Sequence, residues 1–316
     1  MIDALLIYNP AAGRIPVGFF IGDVIRTLND AGWRVEVAES INGRHTTQLA
    51  RMAASDNFRA VFAVGGDGTA GQAASGLIGS ETALAVLPAG TSNVWARELG
   101  MKPFTWKRLR SLGQNARLLA DVEPCAMDVG RCNGQPFLMW AGVGLDALTV
   151  NKIGSAKRFE KYISVSEYAA TTIWNVAMWH GMNLSVTVDD HQVEGHYLLA
   201  IANNIRHYAL FDLSPSASIN DGEMDLWLLS GSTLADALRH MFELLSGRHV
   251  ESDLARRIPF RSARIVSETA FPIHMDGEPV FGASTASLEV VPRGLRVLIP
   301  QHARSQFCVS SSDSGS

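Results

Sequence analysis

The chain predicts two domains of different class: an α/β N-terminal domain with a doubly wound, mainly parallel sheet, and a C-terminal domain rich in antiparallel strands. Three observations carry this reading. Up to about residue 122, short apolar runs alternate with stretches whose apolar residues recur at helical spacing. Beyond it, strand-like runs separated by polar turns dominate. Between them in weight stands the run Ala60-Val61-Phe62-Ala63-Val64, which leads straight into the glycine-rich turn Gly65-Gly66-Asp67-Gly68-Thr69. At 316 residues the chain is long for one core, so two domains are the default expectation.

The elements follow in order. Residues 4–8 are an apolar run closed by Asn9-Pro10, a strand and its turn. Ile21, Val24, Ile25 and Leu28 then mark a helix that stops at Ala31-Gly32. Val35 and Val37 alternate with Arg34 and Glu36 as in a strand, a helix over 47–54 leads to the strand ending at Val64, and residues 83–87 form another apolar run. In such a sheet ligands bind at the carboxyl ends of the strands, where Asn9, Asp67 and Thr91 all sit. In the second half, strands are predicted over 127–132, 137–141, 184–188, 197–201 and 225–229, with Asp189-Asp190-His191 turning a hairpin. Helices are expected over 159–179 and 233–245. The former carries the stripe Tyr162, Val165, Ala169, Thr172, Val176 and Trp179 behind a basic entrance, Lys157-Arg158 and Lys161, which either packs on a sheet or meets an anionic bilayer. Residues 301–316 read as a polar, disordered tail.

Composition removes several classes. A net charge of -4 gives no general electrostatic reason to bind nucleic acid. Cys125, Cys132 and Cys308 form no C-x-x-C pair, and their odd number argues against a disulfide framework and for a reducing compartment. No secretory signal and no apolar run of membrane-spanning length is evident, so any membrane contact must be peripheral. The histidines show no zinc spacing.

The glycine turn carries the chemistry. Glycines after a buried strand let backbone N–H groups close around a phosphate, and a helix opened by Thr69 adds its N-terminal dipole. Asp67 would repel that anion unless a divalent cation stood between them. The turn therefore points to Mg²⁺-nucleotide rather than bare phosphate.

Taken in order, Asn9-Pro10…Gly13-Arg14, Gly65-Gly66-Asp67-Gly68-Thr69, Leu87-Pro88-Ala89-Gly90-Thr91-Ser92-Asn93…Ala96-Arg97-Glu98-Leu99-Gly100 and Asp276-Gly277-Glu278 resemble the diacylglycerol kinase catalytic-domain family, which includes bacterial lipid kinases and the sphingosine and ceramide kinases. The resemblance continues through Asp128-Val129-Gly130, Gly142-Val143-Gly144 and Asp221-Gly222-Glu223-Met224-Asp225, and so spans nearly the whole chain. It implies a nucleotide-binding domain over 1–122, rejoined by a strand at about 296–300, a C-terminal antiparallel β-sandwich domain over 123–295, and an active-site cleft between them where Mg²⁺-ATP meets a lipid hydroxyl.

The resemblance also implies roles. Asn9, Gly65, Gly66, Gly68, Thr69, Gly90, Thr91, Asn93 and Glu278 are candidates to hold the nucleotide. Asp67 belongs to the catalytic Mg²⁺ network. Asp276 is the candidate base, with Asp67 the alternative for that role. Asp221, the Met224 backbone and Asp225 resemble a structural Mg²⁺ loop, or else form a polar hairpin turn. His274 shares a face with Asp276 on one strand, or is a surface residue. Two departures, Asn93-Val94 and Tyr208-Ala209-Leu210 where relatives carry Asn-Asp and Gly-Gly, bear on the lipid rather than on the phosphate chemistry.

Rival readings are weaker. Gly66, Gly68 and Gly71 match G-x-G-x-x-G, but the next strand ends in Pro88-Ala89-Gly90 where a Rossmann enzyme needs an acid. An NAD kinase-like enzyme lacks its Asn-Glu dipeptide here, and a non-catalytic nucleotide or lipid binder would not need both Asp67 and Asp276. The expectation is an ATP- and Mg²⁺-dependent lipid kinase, cytoplasmic and acting at the inner membrane surface. The lipid and the oligomeric state, a homodimer included, stay open.

Overall fold

The structure, a computed structural model, describes residues 2–145, 179–208 and 211–308. The chain divides into two compact units: the first takes residues up to Val129, then Ile219–Asp221, and the chain from Pro292; the second takes Gly130–Ser218 and Gly222–Val291. The predicted helix over 159–179 lies outside the described residues except for Trp179.

In the first unit, β1 (Ile2–Tyr8), β2 (Trp33–Glu39), β3 (Ala60–Gly65) and β4 (Ala83–Pro88) form a parallel sheet in the order β4-β3-β1-β2. Every residue of β3 and β4 is buried, as expected of parallel strands covered on both faces. The covering helices are α1 (Ile21–Asp30), α2 (Gly43–Ser55), α3 (Asp67–Leu77), α4 (Val94–Glu98) and α5 (Ser111–Ala120). Ile21, Val24 and Leu28 bury one face of α1. Trp33 stacks edge-on against Phe62 at 5.4 Å and donates its indole N–H to the Ala120 carbonyl at 2.9 Å, tying α5 to the sheet.

The second unit is antiparallel. Its strands are β5 (Cys125–Cys132, which begins in the first unit), β6 (Gln135–Phe137), β7 (Trp140–Gly144), β8 (Met182–Val188), β9 (His191–Asn203), the short pair β10 (His207–Tyr208) and β11 (Phe211–Asp212), then β12 (Met224–Ser230), β13 (Ala255–Phe260), β14 (Ser262–Met275) and β15 (Glu278–Val297). β9 and β14 each change partner along their length. Residues 191–197 of β9 and 263–266 of β14 pair with β8, whereas residues 199–203 and 273–275 pair with β7. A register shift between Val266 and Phe271 lets β14 bend from one partner to the other. Leu184, Val186, Val143, Leu226, Phe260 and Ile273 lie in the buried core so formed. Beyond Val291, β15 belongs to the first unit, where Val297 pairs in parallel with Leu84 of β4.

The helix expected over 233–245 is α6 (Leu234–Ser246), opened by a capping box in which Thr233 and Asp236 exchange hydrogen bonds. The strand expected over 137–141 is divided, because Leu138 and Met139 turn their N–H groups to a side chain instead of a neighbouring strand.

Two expectations are corrected at the C-terminus. Residues 301–307 form two short helical turns: Phe307 is buried, with its ring 6.3 Å from that of Trp95, and His302 Nε2 lies 3.0 Å from the Leu99 carbonyl. Polar composition hid the two apolar anchors, Ala303 and Phe307. Cys308 is disulfide-bonded to Cys125, their Cα atoms 5.7 Å apart. The partners stand 183 residues apart, and no local spacing reveals such a pair. Burial pushes the remaining thiol, Cys132, up to about 11, so it is held neutral. Native protein should thus give no rapid alkylation at pH 8, unfolded unreduced protein one thiol, and unfolded reduced protein three; three thiols without reductant would contradict the bond.

Candidate active site

The first unit gathers its candidates where the parallel strands end. Asn9 follows β1; its N–H donates to the Val64 carbonyl at 3.1 Å, and its Oδ1 accepts the Ala11 N–H at 2.9 Å, which fixes the turn after it. Gly66 caps α3, whose first residues are Asp67 and Gly68. The Gly65 carbonyl accepts the N–H groups of both Ala89 (2.8 Å) and Gly90 (3.2 Å), drawing the turn after β4 onto the turn after β3. The approach is so close that a Cβ on Gly90 would stand 2.4 Å from Gly66 Cα, and one on Gly13, at φ +67°, 2.2 Å from the Ala89 oxygen. Three turns therefore pack directly on one another through backbone, a wall beside the N-terminus of α3, where N–H groups and the helix dipole suit an anion.

The polar residues around that wall have unequal parts. Thr91 is exposed. Thr69 is 5% exposed and lies against Gly65, so it supports the turn from behind. Asn93 is buried at φ +49° and exchanges two hydrogen bonds with the Gly90 backbone, at 2.9 and 2.8 Å. Asp67 Oδ1 accepts the Trp95 N–H at 3.3 Å, linking the start of α3 to α4. Burial pushes its carboxyl up, opposed by backbone N–H groups that include those of Val94 and Trp95. A divalent cation beside it would bring that pKa back down.

In the second unit, Asp276 and Gly277 form the two-residue turn between β14 and β15, at φ +49° and +80°, with Met275 paired to Glu278. Asp-Gly is the sequence this hairpin turn prefers. The Asp276 carboxylate accepts three backbone N–H groups, from Leu138 (2.7 Å), Met139 (2.8 Å) and Trp140 (3.1 Å), and its own N–H donates to the Trp140 carbonyl at 2.9 Å. Buried Asn204 holds the same segment from the other side, donating Nδ2–H to the Leu138 carbonyl at 2.9 Å and its backbone N–H to that of Met139 at 2.8 Å. Sequence reasoning missed these partners: backbone N–H groups leave no residue signature, and only the Asn203-Asn204 pair closing an apolar strand was there to be noticed. Glu278 is exposed and, among the described residues, its carboxylate makes no hydrogen bond. His274 is fully buried rather than a surface residue, with the Tyr208 hydroxyl 3.5 Å from its Nε2.

The loop read as a structural Mg²⁺ site has a different character. Asp221 is exposed and belongs to the first unit. Met224 and Asp225 open β12 in the second, Met224 opposite Phe260 in the ladder. Asp225 is buried; its Oδ1 meets Arg257 Nε at 2.8 Å and its Oδ2 is buried without a partner. An arginine already supplies the positive charge this carboxylate requires. Among the described residues no three His, Cys, Asp or Glu side chains converge as a metal site; the loop offers two carboxylates, Asp221 and Asp225, with the Met224 backbone.

Comparison with known proteins agrees with this architecture. Residues 3–132 match the model of the diacylglycerol kinase catalytic domain, and residues 140–299 that of the YegS C-terminal NAD kinase beta sandwich-like domain. The chain is 24% identical over 310 residues to a diacylglycerol kinase of Bacillus subtilis (strain 168), covering 97% of this chain and 99% of the relative. It is 27% identical over 284 residues to a protein of Chromohalobacter salexigens named "Probable lipid kinase YegS-like", covering 88% of each. The crystal structure of a diacylglycerol kinase from Bacillus anthracis str. Sterne shares the fold, with a TM-score of 0.70 at 17% identity over 95% of this chain and 97% of that one. With both halves matched in order, the chain belongs to the diacylglycerol kinase catalytic-domain family, in its YegS-like form.

Proposed function

We propose that the protein is an ATP- and Mg²⁺-dependent lipid kinase that transfers the γ-phosphate to a lipid hydroxyl of the diacylglycerol or sphingoid type. The observation that carries the reading is the close backbone packing of the 9–13, 65–68 and 89–93 turns at the N-terminus of α3, with one half-buried carboxylate, Asp67, among them. Phosphoryl transfer asks a protein mainly for positioning and charge, and these residues offer both. Asn9 and Asn93 fix the turns, Gly65, Gly66 and Gly90 let those turns pack closely beside the start of α3, where Gly68 lies, and Asp67 joins the Mg²⁺ network. Mg²⁺ would neutralise charge on the transferring oxygens. The names of the relatives, which act on diacylglycerol or other lipids, support the acceptor class.

In this reading the Asp276-Gly277-Glu278 turn has two tasks. Three N–H donors meet the Asp276 carboxylate, which favours the part of fixing the turn against the 138–140 segment over that of base. Glu278, with no competing hydrogen bond, then takes the proton of the acceptor hydroxyl.

Two outcomes test this. Transfer of labelled γ-phosphate into diacylglycerol, sphingoid base and phosphatidylglycerol should give a labelled, chloroform-soluble product that Glu278→Gln abolishes at unchanged thermal stability. Asp276→Asn should lower both turnover and melting temperature. A fully active Glu278→Gln enzyme would remove Glu278 from the base role, and no labelled product from any lipid would count against the lipid kinase itself. Separately, Gly68→Asp should abolish nucleotide binding in calorimetry, since a second carboxylate at the start of α3 repels the phosphates; tight ATP binding by that variant would contradict the phosphate wall.

A further inference from the structure

Between α4 and α5 the chain carries an unusual concentration of charge. Residues 99–120 hold Lys102, Lys107, Arg108, Arg110 and Arg117 and no acidic residue, in a protein whose net charge is -4. Within this stretch Thr105 and Arg108 pair across a tight turn, the Arg108 N–H donating to the Thr105 carbonyl at 2.7 Å, which puts Trp106 and Lys107 at its tip. Trp106 is 67% exposed, and Lys107, Arg108 and Arg110 are exposed around it with no ion pair among the described residues.

The turn is held firmly from below. Fully buried Asn115 accepts the Lys102 N–H at 3.2 Å and donates to the Lys102 carbonyl at 2.8 Å, and the Ser111 hydroxyl donates to the Arg108 carbonyl at 2.8 Å. Phe104 is buried, edge-on against Phe20 at 5.1 Å. That contact sets a second displayed aromatic on the adjoining segment: Phe19, 85% exposed. One exposed apolar side chain is ordinary. Two large aromatics on fixed neighbouring segments, ringed by unpaired cations, form a surface that water alone does not explain.

We propose that the 105–110 turn, with Phe19 beside it, docks the protein on a bilayer containing anionic phospholipid; the inference rests on the lipid-acceptor reading above and names the surface that would serve it. The chemistry matches the partner. Indole and phenyl rings partition to the headgroup level, and unpaired Lys and Arg near an anionic surface each gain roughly five-fold in binding. A nucleic-acid groove would instead line a phosphate track with charge and stack bases on several rings, whereas here the rings lie at the tips of turns.

The test uses the full chain and sedimentation with vesicles. Wild type should pellet with mixed phosphatidylcholine and phosphatidylglycerol vesicles and not with pure phosphatidylcholine, less so as salt rises. The triple variant Lys107→Gln, Arg108→Gln, Arg110→Gln should bind roughly 100-fold more weakly, and Trp106→Ala roughly 10-fold. All these residues are exposed, and matched melting temperatures guard against misfolding. Equal binding by the variants overturns the proposal, as does a wild type that binds single-stranded RNA and no vesicle. Phosphorylation of a short-chain, monomeric acceptor should be the same in wild type and variants. If no protein phosphorylates it while the vesicle difference persists, the docking surface stands and the kinase reading falls.

Discussion

The backbone contact between Gly66 and Gly90 is the constraint on which the candidate site depends. Two strands of a parallel sheet end side by side, and the turns that follow them compete for the same space. Only the absence of a Cβ lets the turn after β4 close on the turn after β3, with the Gly65 carbonyl receiving both N–H groups of the incoming chain. Gly13 admits the third turn in the same way. The three turns so packed lie at the start of α3, where the helix dipole and the N–H groups of its N-terminus act.

Carboxylates and amides then fix these turns by a common device: a short polar side chain accepting backbone N–H groups from a neighbouring element. Asp67 does so for α4, Asp276 for residues 138–140, and buried Asp128 for Arg293, at 2.6 Å, as β15 enters the first unit. Asn93 both accepts from and donates to the Gly90 backbone, and Asn204 donates its amide N–H to the Leu138 carbonyl. Each of these side chains is thereby part of the scaffold first.

Much of this could be read from the sequence, for identifiable reasons. The buried runs of β1, β3 and β4 and the apolar face of α1 follow directly from period, and the glycines of the phosphate wall announce themselves because so few other residues fit there. Tertiary partners were hidden. Nothing in Leu138, Met139 and Trp140 says that their N–H groups serve Asp276, and that service is what splits the strand expected over 137–141. Burial of His274 depends on β7 lying beside β14, and the Cys125 to Cys308 bond on the C-terminal turns folding back onto α4. The ion pair of Asp225 with Arg257 on the neighbouring strand was hidden as well.

The most direct measurement is calorimetric titration of the full chain with ATP, in Mg²⁺ and again in excess EDTA. A backbone wall with one half-buried carboxylate beside it should bind Mg²⁺-ATP and lose most of that affinity without the cation, since Asp67 then faces the phosphates unscreened. Equal affinity in both solutions would contradict the part given to Asp67, and no binding in either would contradict the phosphate wall.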